Sequence, residues 1–358
     1  MHRVNFFCEE DVRMCNMAGY VGIKDAAPIL VEMLKKQEGF EGGYSSGIAT
    51  LHEGKIYYAK LVGDTDRLVS LTEAARLPGK IGIIHSRSGG REGDEWAHPF
   101  IAEKNGEIVT AYVANGAQGF FAKERPRLER RAEELLKLGY AMRSQDVIPG
   151  TRYPTLTDGT SVHMSDLMCQ EIQYYMDNGC DAPSAMDEAF HSIPGEITGL
   201  LLTLAEPDSI AWSRINMPMW VGFSSHGAYM ATSALAFDGD SGNPILLPGS
   251  ASGRIYKDRY EIKPYKCDPC KISRINPEIA HKAYEIIYTM LKEGDKKYSQ
   301  LYTAIKECFP EADCIDSEPL TYGILQAMAK GGRLKIETVR VVGHAEGISA
   351  PQCRFSLI

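Results

Sequence analysis

A cysteine heads the run Cys15-Asn16-Met17-Ala18-Gly19-Tyr20-Val21-Gly22. A thiolate is a strong nucleophile, and the small and apolar residues behind this one read as a buried strand holding it at its end. Three polar groups lie downstream: His85-Ser86-Arg87, Ala97-His98-Pro99 and Asn115-Gly116. Together these residue types contain the parts of an acyl transfer. The thiol attacks, an asparagine amide with a glycine N–H stabilises an oxyanion, and a guanidinium fork grips a carboxylate through paired hydrogen bonds. Each also has a plainer reading. A buried cysteine is a small hydrophobe, Asn-Gly is the preferred pair of a type I′ hairpin turn, and arginine and histidine are common surface and core residues.

The thiol needs a base. A free α-amine, with a reference pKa of ~8 against ~10.4 for lysine, can take a thiol proton near neutral pH, whereas a peptide nitrogen cannot. Cys15 can therefore supply nucleophile and base together, provided that its own nitrogen is a free amine. Residues 1–14 (MHRVNFFCEEDVRM) match no element of the fold downstream of them. They are expected to be a propeptide, or an upstream mis-start ahead of Met14. Were they to stay attached, this chemistry would be disabled.

The elements that must position these groups are read from periodicity. Asp25 starts a helix with Ile29, Leu30, Met33 and Leu34 at helical spacing, ending near Gly39 and Gly42-Gly43. Residues 46–51 and 55–61 form a hairpin, 68–75 a helix, and 80–85 a strand that delivers Arg87 into the loop Ser88-Gly89-Gly90. The strand 107–113 ends at Asn115-Gly116, and 126–138 is a charged amphipathic helix. Ser165 is expected to cap a helix over 166–178, with a second helix after Pro183-Ser184. Strands come next at 197–204, 209–215, 219–223 and 228–236. Helices between blocks of hairpin-linked strands point to an α+β fold with antiparallel sheets. Composition shifts near Lys263-Pro264. Beyond it come helices over 277–293, 298–308 and 317–330 and a hairpin of 334–342 with 352–357, the outline of a winged helix.

Bulk properties narrow the function classes. With 358 residues, 44% apolar and 24% charged content, the chain has the composition of a globular protein with room for more than one domain. A net charge of −8 argues against a general binder of nucleic acid or anionic membranes. No run is long and apolar enough for a membrane span, and Glu9, Glu10 and Asp11 stand where a signal peptide needs its apolar centre. Nine scattered cysteines without a secretion signal suggest reduced thiols and a cytoplasmic location. Cys267-Asp268-Pro269-Cys270 with Cys308 and Cys314 invites a zinc reading, but the second spacing is irregular, and core thiols are the expectation. No phosphate-binding glycine loop is present, so no cofactor or metal is expected.

In unbroken order, residues 15–264 resemble the class II glutamine amidotransferases, in particular the glutaminase domain of glucosamine-6-phosphate synthases. The resemblance is carried by Cys15 to Gly22, Glu41 to Ala49, His85-Ser86-Arg87, Ala97-His98-Pro99, Asn115-Gly116, the helix from Ser165 to Gly179, and the strand from Ala228 to Phe237. It implies the N-terminal-nucleophile fold, a four-layer αββα sandwich, with the small helical, winged-helix-like module of 265–358 appended. It further implies that Cys15 attacks the amide of glutamine, that Asn115 and Gly116 hold the oxyanion, and that Arg87 binds the substrate carboxylate. His98 would shape the site or relay its closure.

The departures are specific. The family aspartate that holds the substrate α-amine aligns with Met164, leaving Asp166 or Asp158 as substitutes. Glu41 stands for an arginine and Ser88 for a tryptophan. Residues 265–358 are too few for sugar-isomerase domains. The expected partner is accordingly a separate ammonia-accepting synthase subunit, with homo-oligomerisation through the last module as a further expectation. Two other readings stay open: an N-terminal-nucleophile amidase acting on another amide, and a catalytically silent regulatory or scaffold protein.

Overall fold

The computed structural model describes residues 15–89, 93–266, 275–309, 316–343 and 347–358. The chain runs through β1 (Asn16–Gly22), α1 (Ala26–Lys35), the hairpin β2 (Ser45–His52) and β3 (Lys55–Val62), and α2 (Thr65–Leu71). Next come β4 (Ile81–Arg87), β5 (Phe100–Lys104), β6 (Glu107–Ala117), α3 (Arg125–Lys137), α4 (Met164–Asp177) and α5 (Ala182–Ser192). A block of strands succeeds them: β7 (Glu196–Thr203), β8 (Ile210–Arg214), β9 (Trp220–Ser224), β10 (Gly227–Ala231), β11 (Ile245–Leu246), β12 (Ala251–Ile255) and β13 (Lys263–Pro264). The last part holds α6 (Pro277–Lys292), β14 (Lys296–Lys297), α7 (Tyr298–Ile305), α8 (Ser317–Lys330), β15 (Leu334–Val342) and β16 (Ser349–Leu357).

Two antiparallel sheets carry the first part. One has the order β11-β9-β10-β1-β4-β2-β3, and the other β13-β12-β8-β7-β6-β5. Side chains alternate between the faces of a strand, and that alternation builds four layers. Met17, Val21, Ile83, Val113, Leu200, Leu202 and Trp212 meet in one core between the sheets. Ala18, Tyr20 and Ile84 point the other way and pack with Leu30 and Leu34 of α1. On the far side, Tyr112 and Leu201 pack with Leu128 of α3, Leu167 of α4 and Phe190 of α5.

Several boundaries differ from the sequence reading, each for a local reason. The helix after Gly63 begins at Thr65 rather than 68, because the Asp64 side chain accepts from the Arg67 N–H and caps it. His163, not Ser165, caps α4: its Nδ1 accepts the Ser165 N–H at 3.0 Å. Strand β6 continues to Ala117, so Asn115 and Gly116 lie inside a strand opposite Thr198 and Ile197, and the turn reading is excluded. The sequence reading missed β5 and β12, which are short and flanked by loop residues.

Residues from Pro277 onward order themselves helix, strand, helix, helix, strand, strand, with a sheet β14-β16-β15. This is the winged-helix outline, the wing sheet having three strands rather than the two expected because Lys296–Lys297 joins β16. No described helix is long and apolar enough to cross a membrane.

Gly47 in β2 illustrates how closely the layers approach. A Cβ there would lie 2.2 Å from the His98 carbonyl oxygen, which crosses the strand at that point. Gly47→Ala is expected to lower stability by at least about 1–3 kcal/mol through this backbone clash. The lowered denaturant midpoint should come with an unchanged slope.

Candidate active site

Strand alternation also decides which polar residues enter the space between the sheets. On β4, His85 and Arg87 continue the face of Ile83, and on β6 Asn115 continues the face of Ala111 and Val113. Cys15, just ahead of β1, continues the face of Met17 and Val21. Four chemically capable residues from three strands therefore converge at one end of the inter-sheet core. Their even, two-residue spacing along each strand is the cause.

Cys15 N donates to Asn115 Oδ1 at 2.7 Å, a contact that bridges the two sheets. With Oδ1 so engaged, the other end of the amide, Nδ2, is buried and has no partner among the described residues. Gly116 is next, at φ 121°, in the left-handed region that favours glycine, and a Cβ there would lie 2.1 Å from the Glu196 carbonyl oxygen. Burial pushes the Cys15 thiol up to about 11. The backbone and side chain of Ser88 hydrogen-bond to it and, with the charge of Arg87, pull the other way, while Glu41 adds to the rise. The Ser88 hydroxyl in turn accepts from the Gly42 N–H at 2.8 Å. A thiol held this high does not ionise alone near neutral pH; it needs a proton acceptor beside it.

Arg87 is only 4% exposed. Its Nη1 donates to the Trp96 carbonyl at 3.1 Å, and its Nη2 to the Tyr153 hydroxyl, with the guanidinium carbon 6.0 Å from the Tyr153 ring centre. Among the described residues no carboxylate pairs with it. A buried cation left without a counter-charge is costly, and a guanidinium fork is complementary to an anionic group such as a carboxylate.

Behind it lies a stack of imidazoles. His85 and His98 have ring centres 3.8 Å apart, and His98 and His163 5.3 Å apart. Burial drives His85 down to about 3 and the other two well below the usual imidazole value. All three are neutral across physiological pH, which suits their place behind a buried arginine. His85 Nε2 sits 2.9 Å from the Ala114 carbonyl oxygen, whereas both ring nitrogens of His98 are buried without a partner among the described residues. His98 packs between His85, Phe100 and His163.

Asp166 is placed otherwise. Its Oδ2 accepts from the Arg143 and Ser144 N–H groups and the Ser144 hydroxyl at 2.8, 2.9 and 2.8 Å. This carboxylate organises the loop ahead of α4 through Oδ2, while Oδ1 faces the Gln170 amide at 3.5 Å. Asp158 is exposed and accepts from Thr160. Met164 lies over the ends of β6 and β7, where its Cε would stand 2.3 Å from a Cβ on Gly195. The sequence reading missed Tyr153 and the donor role of Ser88. It also missed Glu38, which accepts from the hydroxyls of Thr65 and Ser86, each at 2.6 Å. A lone tyrosine in a long loop carries no periodic signal. Ser88, next to Arg87 in a glycine loop, is the one that local context could have suggested.

No family model matches the chain. A glutamine–fructose-6-phosphate aminotransferase of Pyrococcus horikoshii is 27% identical over 342 residues, covering 94% of this chain and 50% of that protein. The corresponding Xylella fastidiosa protein is 26% identical over 266 residues, 73% of this chain and 38% of its own length. The Clostridium acetobutylicum protein is 30% identical over 224 residues, 61% of this chain and 31% of its own. This chain is similar to the class II glutamine amidotransferases. It spans half or less of the length of these relatives.

Among solved structures, glutamine phosphoribosylpyrophosphate amidotransferase from B. subtilis, complexed with ADP and GMP, superimposes with a TM-score of 0.56 at 16% identity. The match covers 90% of this chain and 66% of that one. The allosteric regulatory enzyme of purine biosynthesis gives 0.59 at 15% identity, covering 96% and 71%. The αββα layering is thus the N-terminal-nucleophile fold that the class II amidotransferase resemblance implies. Among the described residues no cluster of three or more metal-ligating side chains occurs. Cys308 is described, whereas Cys267, Cys270 and Cys314 of the zinc reading, like residues 1–14, lie outside the described residues.

Glu38 offers a pH test of this surrounding network. Burial raises its carboxyl to about 7, against hydrogen bonds from Ser86 and Thr65 that lower it. A raised folded-state pKa means that the native protein holds an extra proton between about 4.5 and 7. Stability therefore falls as pH rises through that window. In Glu38→Gln the loss of melting temperature between pH 5 and pH 8 is expected to be smaller than in the unaltered protein, as differential scanning fluorimetry would read it.

Proposed function

We propose that this protein hydrolyses the side-chain amide of glutamine with Cys15 as an N-terminal nucleophile. The reading rests on one contact, Cys15 N to Asn115 Oδ1 at 2.7 Å, together with the unpartnered Nδ2 of the same amide. That arrangement ties nucleophile, base and oxyanion donor into a single unit. A peptide nitrogen spends its only hydrogen on Asn115, and its lone pair is delocalised into the peptide bond. An α-amine makes the same hydrogen bond and keeps a lone pair for the thiol proton. Removal of residues 1–14 is therefore part of the proposal.

In the first step the Cys15 amine takes the thiol proton and the sulfur attacks the amide carbonyl. The tetrahedral oxyanion is held by Asn115 Nδ2 and the Gly116 N–H, while Arg87 grips the substrate carboxylate. The protonated amine passes its proton to the departing nitrogen, and ammonia leaves a thioester on Cys15. Water, deprotonated by the same amine, attacks the thioester; glutamate departs, and the thiol regains a proton. The ammonia is passed to a separate synthase subunit, which copurification from the source cell should reveal.

A second reading, an amidase for an ω-amide without an α-ammonium group, is favoured by two observations. Asp166 has its Oδ2 taken by three donors of the Arg143-Ser144 loop, and Met164 is apolar. Parallel assays on glutamine and on glutaramic acid, which lacks the amine, distinguish the two.

Four measurements bear on the proposal. N-terminal sequencing of active protein is expected to begin at Cys15; activity from a chain with residues 1–14 intact would overturn it. Cys15→Ala should abolish glutamate release. Asn115→Ala should lower kcat by about 100- to 1000-fold, the usual effect of losing one oxyanion donor. Arg87→Lys, which keeps the charge but loses the fork, should raise KM more than it lowers kcat.

A further inference from the structure

The helix that a winged-helix module ordinarily leaves free, α8, is turned inward here. Its buried residues, Leu320, Tyr322, Leu325, Gln326 and Met328 among them, occupy more than one face. Two of them, four apart on one side, reach the first part of the chain. The Tyr322 hydroxyl donates to Asn16 Oδ1 at 3.0 Å, and Gln326 Oε1 accepts from the Ala234 N–H at 3.1 Å. Asn16 is the residue after Cys15 and is fully buried. Strand alternation places its side chain on the face opposite the active site.

Asn16 transmits what it receives. Its Nδ2 donates to the carbonyl oxygens of Gln37 and Glu41. The residue after Glu41, Gly42, donates to the Ser88 hydroxyl, and Ser88 hydrogen-bonds Cys15. The Ser86 hydroxyl accepts from the Gly43 N–H at 2.7 Å. The terminal module holds the same loop from outside. Phe40 is packed in the module's own core, with ring centres 4.8 Å from Tyr322 and 4.7 Å from Phe355. Cys353 N–H donates to the Gly39 carbonyl, and a Cβ on Gly43 would lie 2.6 Å from Pro351.

From this chain of contacts we infer that the terminal module is an intramolecular clamp for the nucleophile, and that Tyr322 is a positioning residue which sets the Cys15 thiol against Ser88 through Asn16 and the loop Gln37–Gly43. The role given to Cys15 rests on the glutaminase reading, but the clamp itself is a statement about geometry. It assigns to this module an internal partner, the nucleophile strand, in place of nucleic acid.

The test uses the full chain and reads Cys15 directly. Iodoacetamide alkylation is followed at the Cys15 peptide by mass spectrometry, so that the other thiols do not interfere. Tyr322→Phe removes one hydroxyl. Tyr298→Phe removes a comparable one, since Tyr298 is buried in the same module and donates to the Glu318 carbonyl at 2.7 Å rather than to Asn16. Tyr322→Phe is expected to slow Cys15 alkylation about three- to tenfold, the factor one neutral hydrogen bond supplies. Tyr298→Phe should leave it within twofold of the unaltered protein. In protein beginning at Cys15, Tyr322→Phe should lower kcat by a similar factor with KM unchanged. An unchanged or faster alkylation rate in Tyr322→Phe, or an equal slowing in Tyr298→Phe, overturns the inference. Absence of glutaminase activity in the unaltered protein would count against the proposed function alone, because the alkylation comparison does not depend on turnover.

Discussion

Two stacked sheets with a period-two side-chain pattern leave one narrow space into which polar groups from different strands can be delivered together. The Cys15–Asn115 hydrogen bond is where that constraint is met. It joins the start of β1 in one sheet to the end of β6 in the other. Because it engages Asn115 Oδ1, it also fixes which end of the amide is left as donor. A one-residue slip of β1 or β6 would send Cys15 or Asn115 to the helical layers instead. The apolar pattern that fills the inter-sheet core therefore also sets the register of the site.

Charge is managed by exclusion. Arg87 is buried, carries no carboxylate partner among the described residues, and is surrounded by a carbonyl, a phenol and three imidazoles that burial keeps neutral. Neutral histidines add no repulsion to a buried guanidinium, and they leave its charge available to a ligand. The thiol faces the same low-polarity surroundings and is held high, so its reactivity depends on a neighbouring base rather than on intrinsic acidity. Under the proposed mechanism, the same burial that isolates the arginine makes a free amine indispensable.

The terminal module complicates a simple division of labour. Its core includes Phe40 and Met217 from the sheet-bearing part of the chain, and Arg340 pairs with Asp64 at the start of α2. A winged-helix outline by itself suggests a reader of nucleic acid, yet the helix that would do the reading is spent on internal contacts. Topology was a poor guide to role here, and burial a better one.

The sequence was sufficient for what depends on local order. The strand behind Cys15, the apolar approach to Arg87 and the helix of 317–330 are visible as runs and periods, since neighbouring residues alone determine them. The two-residue spacing that puts His85 with Arg87 on one face is equally a property of the chain. What it left open were questions of partnership. Asn-Gly serves a turn or a strand according to whether another strand lies opposite, and here β7 does. Asp166 looked available until the Arg143-Ser144 loop claimed its Oδ2, and Tyr153 looked idle until it met Arg87. Tyr322 and Asn16 lie far apart in the chain, and no local pattern joins them. A hydrogen bond between distant residues is created only when the layers stack, so the site's inventory belonged to the sequence and its connections to the tertiary fold.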